Sequence, residues 1–329
     1  MSGSRFFAGQ HCETTATGTL LYQQGLCLSE PMMFGLGEGL GFIFLNLASL
    51  NLPFCGGRTK PFEITACLCR NLGINLDVAE TSSKARAWDY LQTAIQAGRS
   101  VGLQLDSYYL DYFSTKIHFG AHFVAAYDIQ GDDVLLVDTL QQGGKQKTSK
   151  GSLEKGRFAK GPMTAKARAW TVDGVPHDPS LREPIKKAIR NNASAYLNPQ
   201  FKGMNYLGIM KLSESLPRWR KLAKTPEHDL ALASTLMERA GTGGGLFRCF
   251  YRDFLKECSE LLGSKSLKAS ANEFSVIADN WQQVSRLIGA AGTTGSDAPL
   301  GQASEICASL AEQEKAAFAK LAVLGMQDT

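Results

Sequence analysis

Gln10-His11-Cys12-Glu13-Thr14-Thr15-Ala16 opens the first segment with helical character. Far along the chain, His118-Phe119-Gly120-Ala121-His122-Phe123 opens a strand-like run. A further strand, Val134-Leu135-Leu136-Val137, ends on Asp138. A thiol at a helix start, an imidazole at a strand start and a carboxylate at a strand end supply a nucleophile, a base and an orienter. If the fold brings them together, they perform acyl transfer through a thioester.

Working outward, helix 1 is predicted from Cys12 to about Gln24, ending at Gly25. Ser29-Glu30-Pro31 reads as a second helix start, with a capping residue and Pro in the first turn. In Phe34-Gly35-Leu36-Gly37-Glu38-Gly39-Leu40-Gly41-Phe42, alternating glycines argue against a helix, and residues 43–47 read as a short strand. Residues 62–71 form a helix closed by Gly73. Residues 74–78 are strand-like, and Thr81-Ser82-Ser83 caps a helix whose Trp88, Leu91 and Ile95 share a face. Strands follow at 101–105, 119–129, 134–137 and 169–172, with Gly131-Asp132-Asp133 as a hairpin turn.

Helices first and an antiparallel sheet second make an α+β arrangement. Beyond Asp173-Gly174-Val175-Pro176-His177-Asp178-Pro179 the periodicity is helical, at 182–197, 203–223, 226–240, 247–262, 269–288 and 301–323. The Pro-containing stretch divides the chain into a first domain, 1–175, and a helical second domain, 176–329.

The 329 residues suffice for two cores. No window approaches the roughly 18–20 apolar residues of a membrane span. The first residues are too weakly apolar for a signal peptide, so the expected location is cytoplasmic. Eight cysteines lacking any CxxC pair, and five scattered histidines, match neither a zinc site nor a disulfide framework. No metal or resident cofactor is expected. A net charge of +4 does not suggest nucleic acid. It is unevenly placed: Lys145, Lys147, Lys150, Lys155, Arg157, Lys160, Lys166 and Arg168 face one acid, Glu154. With Gly and Ser between them they read as an exposed loop. It is either a solvated face or a dock for an acidic partner.

The nucleophile of a cysteine enzyme is the thiolate, which a helix N-terminus favours through its unpaired N–H groups and dipole. An imidazole shuttles the proton, and backbone amides at the same helix end donate to an oxyanion. Most cysteines are small buried apolar residues; Cys12 is set apart by its coincidence with His122 and Asp138. His118 is the rival base and Asp128 the rival orienter.

These stretches, together with Leu28-Ser29-Glu30 and Asp106-Ser107-Tyr108-Tyr109-Leu110, resemble the N-terminal domain of the butirosin biosynthesis protein H acyltransferase family over roughly residues 8–140. Glu238 to Arg248 and Tyr251-Arg252-Asp253-Phe254-Leu255 resemble the companion domain of unassigned function that follows it. The resemblance implies a papain-like core and an acyltransferase that moves an acyl group from an acyl carrier protein to an amine. Phosphopantetheine would arrive on the carrier, and the basic stretch would dock it. Carried onto this chain, Cys12 is the nucleophile, His122 the base and Asp138 the orienter. Papain-like peptidases place an oxyanion Gln several residues before the Cys. Gln10 stands only two before it, which leaves the hole to backbone.

Four further residues are candidates for substrate contact. Glu38, the one charge in the glycine-rich stretch, is placed to hold an amine, or else is a loop acid. Asp106 and Tyr108 stand at a strand end as a pocket wall, or else pack on the sheet edge. Arg248, one turn from Arg252, is a candidate for a phosphate. Two functions compete: a cysteine peptidase or amidase, which uses the same residues and is separated from a transferase only by water exclusion, and a non-catalytic carrier-binding protein that retains the fold.

Overall fold

The computed structural model describes residues 6–46, 50–114 and 116–324. Along the chain the elements are α1 (Cys12–Gln23), α2 (Glu30–Leu36), β1 (Leu40–Leu45), β2 (Phe54–Arg58), α3 (Glu63–Leu72), β3 (Asn75–Ala79), α4 (Lys84–Gln96) and β4 (Val101–Leu105). Then come β5 (His122–Gln130), β6 (Asp133–Val137), β7 (Lys145–Ser149), α5 (Lys150–Arg157) and β8 (Ala169–Asp173). The rest is helical: α6 (Arg182–Leu197), α7 (Asn205–Ser215), α8 (Trp219–Leu222), α9 (Pro226–Arg239), α10 (Arg248–Leu262), α11 (Lys265–Thr294) and α12 (Ala298–Leu324). The protein is α+β, as expected. It divides into two compact units, one of residues 1–33 and 61–180 and one of 34–60 and 181–329.

The first unit is built on a six-stranded antiparallel sheet in the order β3-β8-β4-β5-β6-β7. On one face Val101, Leu105, Val124, Ala126 and Leu136 meet Leu91 and Ala94 of α4. Ser83 caps α4 by accepting from Arg86 N. Gln130 pairs with Asp133 across a tight turn at Gly131, whose φ of +62° suits glycine. Helix α1 packs along β5 and is buried from Cys12 through Leu21. A helix sealed on every side must satisfy its polar groups internally. Thr15 Oγ1 donates to His11 O at 2.7 Å and Thr19 Oγ1 to Thr15 O at 2.9 Å, while Thr17 meets Thr65 at 2.7 Å. Glu13 turns away to accept from Phe62 N and Thr65 N, so its carboxylate caps α3.

From Arg182 onward the regular elements are all helices, as expected. The second compact unit also takes in residues 34–60, which supply the antiparallel β1–β2 ribbon. The reason is apolar: Phe42 stacks on Trp281 of α11 at 5.5 Å, and Phe34 on Phe247 at 5.6 Å. Backbone joins in, with Phe44 N donating to Gly203 O and Phe42 N to Asn205 Oδ1. The chain therefore enters this unit twice, rather than once at a single boundary. Helix α2 also runs through Gly35 and Leu36, where the glycines argued against helix. A Cβ at Gly35 would lie 2.1 Å from the Phe254 ring, so this glycine serves close packing rather than a turn.

The stretch from Lys145 to Arg168 is not an exposed loop. It forms β7, α5 and a return to β8. Arg157 is buried, Lys147 pairs with Asp133, and Arg168 bonds Glu80 and Gln104. Lys150 lies over Trp88 at 4.0 Å. Among the described residues no helix is long and apolar enough to cross a membrane.

Candidate active site

Cys12 is the first residue of α1, and His11, its N-cap, makes no side-chain cap. The backbone entering this turn is fixed by Glu30. Its carboxylate accepts from Gln10 N at 3.0 and 2.9 Å, His11 N at 2.8 Å and Thr14 Oγ1 at 2.7 Å. Burial raises the pKa of Glu30, and these donors oppose the rise. The carboxylate thus ties the start of α2 to the residues just before the thiol. The sequence placed Glu30 at a helix start and in the Leu28-Ser29-Glu30 stretch of the resemblance, without pointing to this capping role.

The side chain of Cys12 is 9% exposed, and its Sγ lies 3.9 Å from the carbonyl of Ala121. Cys12 also acts on the ring of His122, contributing to the rise of its pKa. His122 is the first residue of β5, where its backbone pairs with Leu105 of β4. Its Nε2 donates to Asp138 Oδ2 at 2.8 Å. With Nε2 taken by the acid, Nδ1 is the nitrogen left for the sulfur. Phe113 stands edge-on to the ring at 5.2 Å and 82°, holding its plane.

Asp138 follows β6 directly and is buried. Tyr112 Oη donates to its Oδ2 at 2.7 Å, and Thr139 N to its Oδ1 at 2.6 Å. Three donors thus hold the Asp138 carboxylate in place. Burial alone favours a neutral His122 ring, but Asp138 outweighs it and, with Cys12, raises the pKa to about 10. The raised value favours the protonated ring at neutral pH. Burial and Asp138 together push the Tyr112 hydroxyl well above its ordinary range, so it stays a donor.

The rivals are engaged elsewhere. His118 donates through Nδ1 to Asp106 Oδ2 at 2.8 Å and is 62% exposed on its side chain. Asp128 accepts from its own neighbours, Ile129 N and Gln130 Nε2. Gln10 is exposed, and only its backbone amide is engaged, with Glu30.

Of the substrate-contact candidates, Asp106 and Tyr108 lie in the same unit as Cys12. Asp106 caps the turn at 107–109 by accepting from Tyr108 N, and also binds Phe119 N and His118. Tyr108 stacks on the His118 ring at 4.0 Å, forming a small aromatic and imidazole surface. Glu38 and Arg248 lie in the other unit. Glu38 Oε1 accepts from Asn191 Nδ2 at 2.9 Å, and its φ of +54° bends the chain into β1.

Arg248 does not meet a ligand phosphate. It is 0% exposed, and its guanidinium forms two 2.8 Å bonds to Glu314 with others to Gly57 O and Leu246 O. Trp281 Nε1 and Tyr196 Oη complete the shell around Glu314. Its partner one turn on, Arg252, pairs with Asp253. The helical spacing was read correctly, but it faced the core.

Tyr112 and Phe113 were not anticipated. Both sit in an irregular segment, with no periodicity to single them out.

Against known families, residues 11–139 match the model described as butirosin biosynthesis protein H, N-terminal. Residues 151–321 match a domain of unknown function, DUF4872. Cys12, His122 and Asp138 all fall within the first match. No curated protein matches the chain.

Proposed function

Because this chain belongs to the family that joins a butirosin biosynthesis protein H N-terminal domain to DUF4872, we propose that it is a cysteine acyltransferase of natural-product biosynthesis. The observation that carries this is Cys12 at the start of α1, acting on a His122 ring whose Nε2 is held by Asp138 at 2.8 Å. The family name supports a biosynthetic enzyme; the residues support the chemistry.

The sulfur of Cys12, as thiolate, attacks the carbonyl carbon of an acyl thioester. The carbonyl oxygen becomes an oxyanion beside the amides of the first turn of α1, which have no partner within the helix. The C–S bond to the donor thiol then breaks, and His122 gives that thiol its proton. An amine attacks the Cys12 thioester, His122 takes the amine proton, and the thiolate leaves. The products are an amide, a free thiol and the resting ion pair. Neutral His122 exists only between the two half-reactions, when the amine must be deprotonated.

The donor we propose is an acyl group on the phosphopantetheine of an acyl carrier protein, and the acceptor a small amine. Carrier proteins are acidic. Of the basic stretch, Lys155, Lys160 and Lys166 are exposed and provide the complementary charge.

The test is the purified chain with an acyl carrier thioester and an amine, scored for amide against free acid. Amide from wild type, and none from Cys12→Ala, is expected; free acid alone makes the protein a hydrolase. His122→Ala should lower kcat by about 10²–10⁴-fold. Lys155→Glu with Lys160→Glu should slow transfer from the carrier more than from a small acyl thioester. Equal effects on both donors would remove the docking role.

A further inference from the structure

In the first unit a cleft of about 590 Å³ lies between α4 and the β3–β8 edge of the sheet. That volume falls in the roughly 300–1,000 Å³ range of small-molecule sites. Its walls include Val78, Ala87, Tyr90 and Ala169, and three arginines reach it: Arg86, Arg99 and Arg157.

Arg157 is the decisive residue. It ends α5 and is only 4% exposed. Its guanidinium donates to two backbone carbonyls, Ala87 O at 3.0 Å and Ala167 O at 3.1 Å. Among the described residues no carboxylate pairs with it, and its buried Nε has no hydrogen-bond partner. Those carbonyls fix the fork but supply only partial charge. Buried charges are ordinarily paired, because leaving water without a counter-ion is costly. Arg248 of this chain illustrates the rule, fully buried against Glu314 at 2.8 Å. Burial also draws the pKa of Arg157 down to about 10, with no acid acting against it.

The other charges around the cleft do not supply the missing anion. Glu80 is bonded to Arg168 at 2.6 Å, and Arg99 to Asp173 at 3.1 Å. Asp89 is exposed on α4 and Arg86 is exposed near its start. We infer that the cleft binds the phosphate or carboxylate group of a small organic ligand. Arg157 holds the oxyanion at the buried end, Arg86 meets it from the rim, and the ligand body lies against Ala87, Ala169 and Tyr90. Guanidinium forks suit planar or tetrahedral oxyanions, and such charge-assisted bonds are the stronger class. This site is separate from the Cys12 chemistry and does not depend on it.

The experiment is a thermal-unfolding titration of the full chain with inorganic phosphate and with acetate, each against sodium chloride at matched ionic strength. A saturable rise in Tm beyond the chloride control is expected for at least one oxyanion. The better of the two identifies the group recognised. Arg86→Ala should weaken the fitted affinity about tenfold, the scale of one charge-assisted hydrogen bond, and Arg157→Gln should abolish it. If Arg157→Gln does not fold, Arg86→Ala alone decides. No saturable rise with either anion, or an unchanged affinity in Arg86→Ala, overturns the site.

Discussion

His122 keeps a proton that an ordinary histidine gives up near pH 6.5, because Asp138 and Cys12 lift its pKa to about 10 against the opposing effect of burial. A raised folded-state value fixes the sign of the linkage. The ring stabilises the fold fully below about pH 6.5, and that contribution is lost as pH climbs through about 10. The unfolding free energy of wild type minus that of His122→Gln should therefore shrink steadily across this window, read by urea titration. A difference that stays flat with pH would mean the ring is neutral throughout. At this scale the sequence was informative where a residue sat at an element's end. Cys12, His122 and Asp138 were legible because helix and strand periodicity placed their boundaries. Tyr112 and Phe113, which steady Asp138 and the ring, lie in irregular chain and were not. Arg248 misled because helical spacing reports a face, not whether that face meets water or core.

Among the elements, the placing of α1 depends on two buried carboxylates that cap rather than catalyse. Glu30 gathers the amides of Gln10 and His11, and Glu13 caps α3. Removing the Glu30 carboxylate leaves buried donors unmet, at about 1–3 kcal/mol each. Glu30→Ala should lower stability by that order and slow alkylation of Cys12 by iodoacetamide, since the turn presenting the sulfur loses its tether. Loss of stability with unchanged alkylation would show that Glu30 supports the fold without positioning the thiol. Strand β7 and helix α5 escaped sequence reading because lysine and glycine there mask any apolar period. What starts α5 is distant in sequence: Asp111 accepts from Ser149 N and Oγ, Thr148 Oγ1 and Ser152 Oγ. Burial is the largest single effect and raises the Asp111 pKa, but those donors together outweigh it and pull the value down to about 2. By contrast β4, β5, β6 and α4 alternate or repeat cleanly, and their predicted bounds lie close to those observed.

On the scale of the whole molecule, two compact units share one chain that visits the second of them twice. A cut placed at a proline-rich stretch cannot reveal this, because the pairing of Phe42 with Trp281 joins residues far apart in sequence. That second unit is organised around the sealed Arg248–Glu314 pair. Truncating one member strands the other charge, at about 3–5 kcal/mol. Arg248→Ala should thus cut global stability by that amount in chemical denaturation. Its residual activity should fall equally with carrier-bound and small thioester donors, whereas a selective loss with the carrier would restore a binding role.

The most direct test of the account is the intact mass of the chain after exposure to an acyl thioester without amine. Wild type is predicted to gain one acyl group, mapped by peptide digestion to Cys12, and to lose it as amide once an amine is added. An unmodified wild-type mass, or the same adduct in Cys12→Ala, would contradict the assignment of the sulfur as nucleophile.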